Sequence, residues 1–476
     1  MFEEKKSAPW YRSPIVMIAA VVVVVLGAVV GYLVFRRAGN DEHYAALEQH
    51  RQQQAVEAPP AATVVATATP VVEASPGASP TESAEPTTKS GRNYWTTFRG
   101  AQRDGTYAIT PVSTNWPANG LAPLWKQPVG LGFASFAIAD GRAFTLEQRR
   151  GQEVAAAYDV ATGRELWTQA WTAEFYESNG AGPRSTPTWD QGRVYVLGAT
   201  GELRCLDANN GSVIWGKNIL TENNAQNLQW AMAASPLIVD DKVIVLPGGA
   251  SGKSVVAYNK MTGAPVWKVL NDTQAYVSPM LVELNGRRQI MVVSSSRVVG
   301  LVPENGALLW SHPWNTEGGI NVSQPIVIDK NRFFISSGYR KGAALVEVKG
   351  SGQSFTATTI WENINMKNKF NSSVYHNGYV YGLDEGILTC LDVNTGERKW
   401  KGGRYGYGQV IVASDHLIVT SDAGDLALVK ASPDQYTEVA RFSALQGKTW
   451  NYPAIADGRL LVRNATEMAA YDISRK

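Results

Sequence analysis

The sequence predicts an all-β protein, an eight-bladed β-propeller with four-stranded antiparallel blades, preceded by one transmembrane helix and a disordered linker. Three observations favour this fold class. A ten-residue motif ending in Gly-x-x-x-Trp returns along most of the chain, the unit around it contains four short strand candidates, and the aromatic residues that close the units recur every 39–52 residues. Propeller blades repeat at about 40–50 residues, with four strands in each blade.

The motif is first written as YDVATGRELW, at residues 158–167, and it returns as LDANNGSVIW, YNKMTGAPVW, LVPENGALLW and LDVNTGERKW. Each copy is typical of a strand end, a tight turn and a short strand closed by Trp. The turn position four residues before the Trp favours glycine because a positive φ is expected there. These glycines are Gly163, Gly211, Gly263, Gly306 and Gly396.

The aromatic residue that closes each unit lies on a predicted outer strand, where a large flat side chain can cover the junction between neighbouring blades. We therefore assign these residues and the turn glycines a structural docking role. The alternative is that they line a binding site, but periodic aromatic residues usually belong to the core. The closing residues are Trp125, Trp167, Trp215, Trp267, Trp310, Trp361, Trp400 and, in a degenerate copy, Phe442.

The last unit, YPAIADGRLLVRNATEMAAYDIS, supplies three strands and lacks a fourth. A candidate for the missing strand is LWKQPV at residues 124–129, which ends no unit of its own. An N-terminal strand that completes the last blade would close the ring and remove the exposed sheet edges of an open array.

The N-terminal region divides into a basic flank at 1–14, a transmembrane helix at 15–35 and a flexible Pro/Ala/Thr-rich linker at 36–92, before the propeller at 93–476. The segment 15–35 is uncharged and, as a helix, about 31 Å long, enough to cross a bilayer. A cleavable signal peptide is the alternative, but Arg36 and Arg37 follow the segment instead of small residues. Residues 41–56 could form a short polar helix.

Orientation follows from the flanking charges, three basic residues before the apolar segment and two after it. This bias predicts a single-pass inner-membrane protein with the propeller on the periplasmic, extracytoplasmic side. The whole chain carries 44 basic and 42 acidic residues, so the totals give no basic face for nucleic acid. Cys205 and Cys390 occupy equivalent places in non-adjacent units, which favours buried free thiols over a disulfide.

A binding site is expected on the face opposite the repeated turns, where the links between blades precede the inner strands and ring the central channel. Aromatic residues interleaved with amides and cations suit a small ligand or a peptide. The alternative is that these are ordinary loop residues and channel plugs. The candidates are Arg184, Trp230, Tyr276, Asn321, Lys369, Asn371, Arg404, Tyr407 and Trp450.

The sequence offers no catalytic residues and no metal ligands that can be named. PGGASGKS, at 247–254, has the residue types of a phosphate loop, but Pro247 stands where the first glycine belongs and the stretch links two predicted strands, so a Gly-rich hairpin turn is favoured. The five histidines lack metal-ligand spacing. Scattered Ser/His/Asp triads stay open as an alternative.

The repeat D-x-x-T-G-x-x-x-W is similar to the tryptophan-docking motif of the quinoprotein propellers. YWTTFRGAQRDGTY (94–107), GPRSTPTW (182–189) and ADGRLLVRN (456–464) resemble the bacterial PQQ-binding-like β-propeller repeat proteins, which are related to the scaffold lipoprotein of the outer-membrane β-barrel assembly machinery. Quinoprotein alcohol dehydrogenases of this superfamily carry adjacent cysteines over pyrroloquinoline quinone (PQQ), and this chain has no such pair. It also has no lipobox cysteine near its start.

Two functions are considered, and a strong repeat without a recognisable catalytic constellation favours the first. The first is a non-enzymatic scaffold without a cofactor, attached to the membrane through its N-terminal helix and presenting one face of the propeller to a protein, peptide or glycan partner outside the cytoplasm. The second, by analogy only, is a PQQ-dependent dehydrogenase that uses the quinone with calcium in the propeller mouth.

Overall fold

The protein is described by a computed structural model that covers residues 40–56, 95–117, 119–352 and 354–475. The predicted basic flank (1–14) and transmembrane helix (15–35) lie outside these residues, as does most of the predicted linker. In the described ranges, helix α1 occupies residues 40–56, close to the short helix expected at 41–56. None of the helices in these ranges is both long enough and apolar enough to span a bilayer.

Two strands precede the first blade, β1 (Thr106–Tyr107) and β2 (Pro123–Pro128). Blade 1 consists of β3 (Ala137–Ala139), β4 (Arg142–Arg149), β5 (Gln152–Asp159) and β6 (Glu165–Thr172). A small hairpin of β7 (Tyr176–Glu177) and β8 (Gly180–Ala181) follows it. Blade 2 consists of β9 (Thr188–Asp190), β10 (Arg193–Leu197), β11 (Glu202–Asp207) and β12 (Val213–Asn218), and helix α2 (Ile219–Asn223) follows.

Blades 3, 4 and 5 have the same four-stranded plan. Blade 3 consists of β13 (Leu237–Val239), β14 (Lys242–Val245), β15 (Val255–Asn259) and β16 (Pro265–Val269). Blade 4 consists of β17 (Met280–Leu284), β18 (Arg287–Val293), β19 (Arg297–Leu301) and β20 (Leu308–Pro313), followed by a 3-10 turn (Glu317–Gly319). Blade 5 consists of β21 (Ile326–Val327), β22 (Arg332–Ser337), β23 (Gly342–Ser351) and β24 (Ser354–Asn363).

The remaining blades complete the ring. Blade 6 consists of β25 (Val374–His376), β26 (Tyr379–Asp384), β27 (Ile387–Asp392) and β28 (Arg398–Arg404). Blade 7 consists of β29 (Gln409–Ala413), β30 (His416–Thr420), β31 (Asp425–Lys430) and β32 (Glu438–Ser443). Blade 8 consists of β33 (Ala454–Ala456), β34 (Arg459–Arg463) and β35 (Glu467–Asp472), with β2 as its fourth strand. The predicted eight-bladed all-β propeller is confirmed for the described chain.

The repeated turn is held by its own side chains. In the first copy, the Asp159 carboxylate accepts hydrogen bonds from the backbone N–H and the hydroxyl of Thr162, both at 2.8 Å. The N–H of Gly163 donates to the Asp159 carbonyl at 2.8 Å, and Gly163 has a φ of +74°. Such an Asx turn with glycine at the left-handed position explains why D-x-x-T-G recurs at the connection between the third and fourth strands of a blade.

Most closing Trp residues contact the turn of the next blade. Six indole N–H groups donate, at 2.8–3.2 Å, to a carbonyl near the start of that turn, and Trp125 makes this bond to Val160 across the junction of blades 8 and 1. The ring covers the turn glycine so closely that a Cβ on Gly163 would lie 2.7 Å from the Trp125 ring. Glycine is therefore required here for its φ and for its missing side chain. The other such pairs are Trp167 with Gly211, Trp215 with Gly263, Trp267 with Gly306 and Trp361 with Gly396.

Two junctions depart from this pattern because the next turn is different. Blade 5 replaces the short turn by the long β23–β24 hairpin, so Trp310 stacks on Phe333 and donates to the side chain of Gln289 in its own blade. In blade 8 the corresponding turn is absent because β2 comes from the N-terminal side. There Phe442 covers Gly120, on the approach to β2, and packs against Trp116.

The ring closes as the sequence predicts. Strand β2 pairs antiparallel with β35, with Trp125 opposite Ala470 and Pro128 opposite Glu467. Blades 7, 8 and 1 share one hydrophobic core around this closure, which includes Trp116, Phe136 and Tyr471.

Residues 95–107, which we call the channel plug, pass along the inner strands. Trp95 forms an antiparallel bridge to Ile138 in blade 1, and β1 pairs in parallel with β29 of blade 7. Between them, the fully buried Arg103 donates to the carbonyls of Ser235 and Pro279 at 3.1 and 2.8 Å. Burial lowers the pKa of Arg103 to about 9, so the group is still charged at neutral pH.

Both cysteines are free and buried, as predicted, and each faces a tyrosine across a strand pair, Cys205 opposite Tyr195 and Cys390 opposite Tyr381. Burial raises the pKa of Cys205 to about 11 and that of Cys390 to about 12. Because the thiolate is the reacting form, we expect almost no reaction of the native protein with DTNB at pH 8, and full reaction of both thiols in guanidinium chloride. Rapid labelling of the folded protein would contradict this packing.

Candidate functional site

A cavity of about 160 Å³ opens at the mouth of the channel, on the face that carries the links between blades. Its walls are mostly aromatic, and Phe98 of the channel plug is among them. The lining residues are Phe98, Phe133, Glu177, Asn179, Arg184, Trp230, Ala233, Tyr276, Val322, Tyr339, Phe370, Ser372, Trp450 and Tyr452. The links between blades therefore bring together, at the mouth, side chains that are not part of the repeated pattern.

A ring of side-chain hydrogen bonds fixes the links where they enter the inner strands. The backbone N–H of Ser135 donates to the Thr186 hydroxyl, that of Thr186 to Ser235, and that of Ser235 to Ser278, at 2.9–3.0 Å. Each bond joins one blade to the next. Because hydroxyl groups satisfy these buried N–H donors, the residues just before them are held in place at the cavity rim.

One wall is an aromatic cluster from the links before blades 1, 6, 7 and 8. The rings of Phe370 and Trp450 stack with centroids 4.9 Å apart, and Tyr407 meets Phe370 edge-on at 5.0 Å. Phe133 lies on the other side of Trp450, at 5.8 Å. These separations fall within the favourable range for aromatic pairs, so the wall is preorganised.

The second wall carries Trp230, Tyr276 and Tyr339. The rings of Trp230 and Tyr276 are 5.5 Å apart. Burial raises the pKa of Tyr276 above its usual value, and it raises that of Tyr339 to about 12. Both phenols are thus neutral at physiological pH and offer hydrogen-bonding groups instead of charge.

Arg184 and Glu177 form the rim beside the β7–β8 hairpin. The guanidinium donates to the Glu177 carboxylate at 2.8 Å and to the Gly180 carbonyl at 2.9 Å, and it lies over the rings of Phe175 and Phe133. Burial lowers the pKa of Arg184 to about 10, so the guanidinium is charged at neutral pH. This arginine is already paired and oriented by its own hairpin.

Unlike Arg184, Lys369 lies against aromatic rings. Its ammonium group lies 5.2 Å from the centroid of the Tyr407 ring and 5.4 Å from that of Tyr339, and its nearest polar partner is the Tyr407 hydroxyl at 3.5 Å. Among the residues that the structure describes, no carboxylate oxygen lies within 4.0 Å of its Nζ. Glu385 is close enough to feel its charge, but forms its ion pair with Lys367 at 2.8 Å.

The sequence candidates divide into two groups. Arg184, Trp230, Tyr276 and Trp450 line the cavity, while Lys369 and Tyr407 contact its aromatic wall. Asn321 is buried away from the opening, where it accepts from Ser337 and donates to the Ser294 carbonyl, and Asn371 is buried against Asn368. Arg404 lies exposed at the end of an outer strand.

Several residues that line the cavity were not predicted from the sequence. Phe133 and Phe370 each lie four residues before an inner strand, as the candidate Trp450 does, so their position was the available signal. Tyr339 belongs to the turn between β22 and β23, and Phe98 to the channel plug. Nothing in the repeat pattern indicates that these two segments reach the mouth.

The PGGASGKS stretch forms a turn between β14 and β15, as favoured from the sequence. The N–H groups that a phosphate loop would present are engaged within the protein. Those of Gly248 and Gly249 donate to the carbonyls of Ser254 and Lys253, and that of Gly252 to the Asn271 side chain. Among the described residues, no three His, Cys, Asp or Glu side chains are grouped to hold a metal ion.

The eight blades, six of which carry a Trp that docks on the next blade, define a propeller of the quinoprotein superfamily, with PQQ-like repeats. A family model described as "Outer membrane protein assembly factor BamB" matches residues 150–402, and the chain belongs to that family. BamB from Shewanella oneidensis is 23% identical over 363 residues, which cover 64% of this chain and 88% of that protein. The crystal structure of BamB from Moraxella catarrhalis shares the fold, with a TM-score of 0.52 and 17% identity over 74% of this chain and 97% of that one.

An enzyme of the superfamily is also similar to part of the chain. The quinoprotein ethanol dehydrogenase of Pseudomonas putida is 27% identical over 161 residues, 31% of this chain and 25% of the enzyme. The mouth does not fit a calcium-held quinone, because calcium takes six to eight oxygen ligands and the lining supplies one carboxylate, Glu177, which is paired with Arg184. The two cysteines, in blades 2 and 6, are not adjacent.

Proposed function

We propose that this chain is a non-enzymatic scaffold propeller that binds a polypeptide partner at its aromatic mouth, outside the cytoplasm. In this proposal the segment 15–35 anchors the chain in the inner membrane and the linker 36–92 lets the propeller reach away from it. Membership of the BamB family supports a role in binding a protein, since the relatives are named for outer membrane protein assembly.

The observation that carries the proposal is the preorganised aromatic cavity. Interfaces draw most of their binding energy from a few central aromatic and Arg residues in desolvated pockets. The mouth supplies Trp230, Trp450 and Phe370 from different blades, with rings held in place by mutual contacts. Such a surface can bury a partner's side chains with little loss of its own conformational entropy.

The lining favours a polypeptide over a glycan. A sugar ring brings several hydroxyl groups, each of which needs a hydrogen-bond partner when buried. Around the cavity, the charged groups Glu177 and Arg184 are already paired with each other, and most other lining residues are apolar or aromatic. A peptide segment can place apolar side chains in the cavity and keep its backbone at the wet rim.

The test is affinity recovery of partner proteins from solubilised membranes with the full chain as bait. We expect Trp450→Ala and Trp230→Ala each to lower recovery of the same partner by about tenfold or more, as for other central aromatic residues. Arg404→Ala is the matched control, because Arg404 is an exposed residue outside the cavity. Its recovery should equal that of the wild type.

Two parallel titrations use the purified protein. Saturable binding of maltotetraose with no partner protein lost in the Trp variants would overturn the polypeptide proposal. Stoichiometric binding of added PQQ and Ca²⁺ with dye-linked turnover would replace it by the dehydrogenase alternative. Equal recovery by all three variants would show that the partner binds elsewhere.

A further inference from the structure

We infer that the mouth recognises one aromatic side chain of its partner together with an adjacent acidic residue, whose carboxylate pairs with Lys369. This inference rests on the proposed function and specifies the partner's chemistry. It comes from two independent observations, the dimensions and walls of the cavity and the placement of one cation at its edge.

The cavity has the size of one aromatic ring. An engineered apolar cavity of about 150 Å³ accommodates benzene, and the mouth cavity measures about 160 Å³. Its walls offer ring faces and edges from both sides, from Phe370 and Trp450 on one side and from Trp230 and Tyr276 on the other. A ring between them would find partners at the separations of 4.5–7 Å that aromatic pairs prefer.

Aromatic walls also attract cations. The charges of the side chains at the edge of the cavity therefore decide whether an acidic or a basic partner residue is favoured. Besides Lys369, Arg184 and Lys448 lie near the cavity; Arg184 has Glu177 as its partner, and Lys448 donates to the Asn179 carbonyl at 2.8 Å. Among the described residues, Lys369 contacts the Tyr407 hydroxyl and the ring faces of Tyr339, Phe370 and Tyr407, and no carboxylate forms an ion pair with it. A cationic residue of the partner would be repelled by the Lys369 ammonium group. A carboxylate would form an ion pair with it.

The position of Lys369 sets the distance between the two recognised groups. Lys369 directly precedes Phe370 in the chain, and Phe370 belongs to the cavity wall. The carboxylate that pairs with Lys369 must therefore lie within a residue or two of the inserted ring. Aspartate or glutamate next to Phe, Tyr or Trp meets this requirement where the segment bends, because a regular strand would direct the two neighbouring side chains to opposite faces.

The experiment uses capped tetrapeptides with the full chain in detergent, and affinity is measured by tryptophan fluorescence and saturation-transfer NMR. Gly-Phe-Asp-Gly is compared with Gly-Phe-Lys-Gly and Gly-Ala-Asp-Gly at low ionic strength. We expect the first peptide to bind about fivefold more tightly than the second, the range of a partly exposed ion pair, and the third to bind hardly at all. High salt should reduce the Asp-over-Lys preference.

Lys369→Gln should abolish the preference for Asp over Lys while retaining that for Phe over Ala. Lys367→Gln is the matched control, because Lys367 lies two residues away and already pairs with Glu385. Equal binding of the Asp and Lys peptides, an unchanged preference in Lys369→Gln, or no saturable binding of the Phe-Asp peptide would each overturn the inference. If the Trp450→Ala variant still loses its membrane partner in that case, the proposed function stands without this specificity.

Discussion

Deleting residues 458–476 is expected to abolish the folded propeller, with the protein recovered as aggregate or as an unfolded chain. The deletion removes β34 and β35, the two central strands of blade 8, and leaves β33 and β2 without their pairing partners. The lost hydrophobic side chains that are at most 2% exposed are Leu460, Leu461, Val462, Met468, Ala469, Ala470, Tyr471 and Ile473. At about 1.5–3 kcal/mol for each large apolar side chain, their burial contributes roughly as much as the whole net stability of a typical domain.

Circular dichroism and size-exclusion chromatography measure this outcome. The control is removal of the last two residues only, since Arg475 is exposed and follows the end of β35. That variant should elute and melt like the full chain. A monomeric deletion from Gly458 with unchanged melting would contradict ring closure through β2 and β35.

Arg103→Met is expected to lower the free energy of unfolding by about 2–4 kcal/mol. The guanidinium donates to the carbonyls of Ser235, Pro236 and Pro279 and to the hydroxyl of Thr97, so it joins the plug to blades 3 and 4. Methionine fills similar volume but leaves these buried acceptors without donors. Arg103→Lys should recover part of the loss, because an ammonium keeps the charge but not the planar fork.

Urea denaturation followed by tryptophan fluorescence gives the comparison. Arg288→Met serves as the control, because Arg288 is about half exposed and pairs with an equally exposed Asp240 at 2.9 Å. Exposed ion pairs of that kind contribute less than about 1 kcal/mol to the free energy of unfolding. If both variants shift the urea midpoint equally, the buried hydrogen bonds of Arg103 do not stabilise the ring.

The ring could be predicted from the sequence because its signal is repeated. The spacing of the closing Trp residues and the turn glycines specifies four strands and a docked turn in each unit, and it identifies 124–129 as the strand that has no unit of its own. The same physical requirement, a large ring over a residue without a side chain, acts at the turn glycines of five blades. A periodic pattern can still be detected when one copy departs from it, as at Trp310, where the next blade lacks the short glycine turn.

The mouth was only partly predictable because nothing in it repeats. Arg184, Trp230, Tyr276 and Trp450 could be found from their place before an inner strand, and by the same rule Asn321 and Asn371 were chosen although they serve as buried hydrogen-bonding groups. The 94–107 motif marked the family in the sequence, but its path through the channel depends on contacts with blades 1, 3, 4 and 7 that have no local signature.

The ring cannot close until synthesis of the chain is almost complete. Pro128 of β2 pairs with Glu467 of β35, 339 residues later. At about 5–20 residues per second, the ribosome needs roughly 20–70 s to make the partner of a strand that it has already released. During that interval β2 is an unpaired edge, open to pairing with other chains. Its Pro residues at both ends, Pro123 and Pro128, lack the N–H groups that such pairing would use and so limit misassembly before the ring can close.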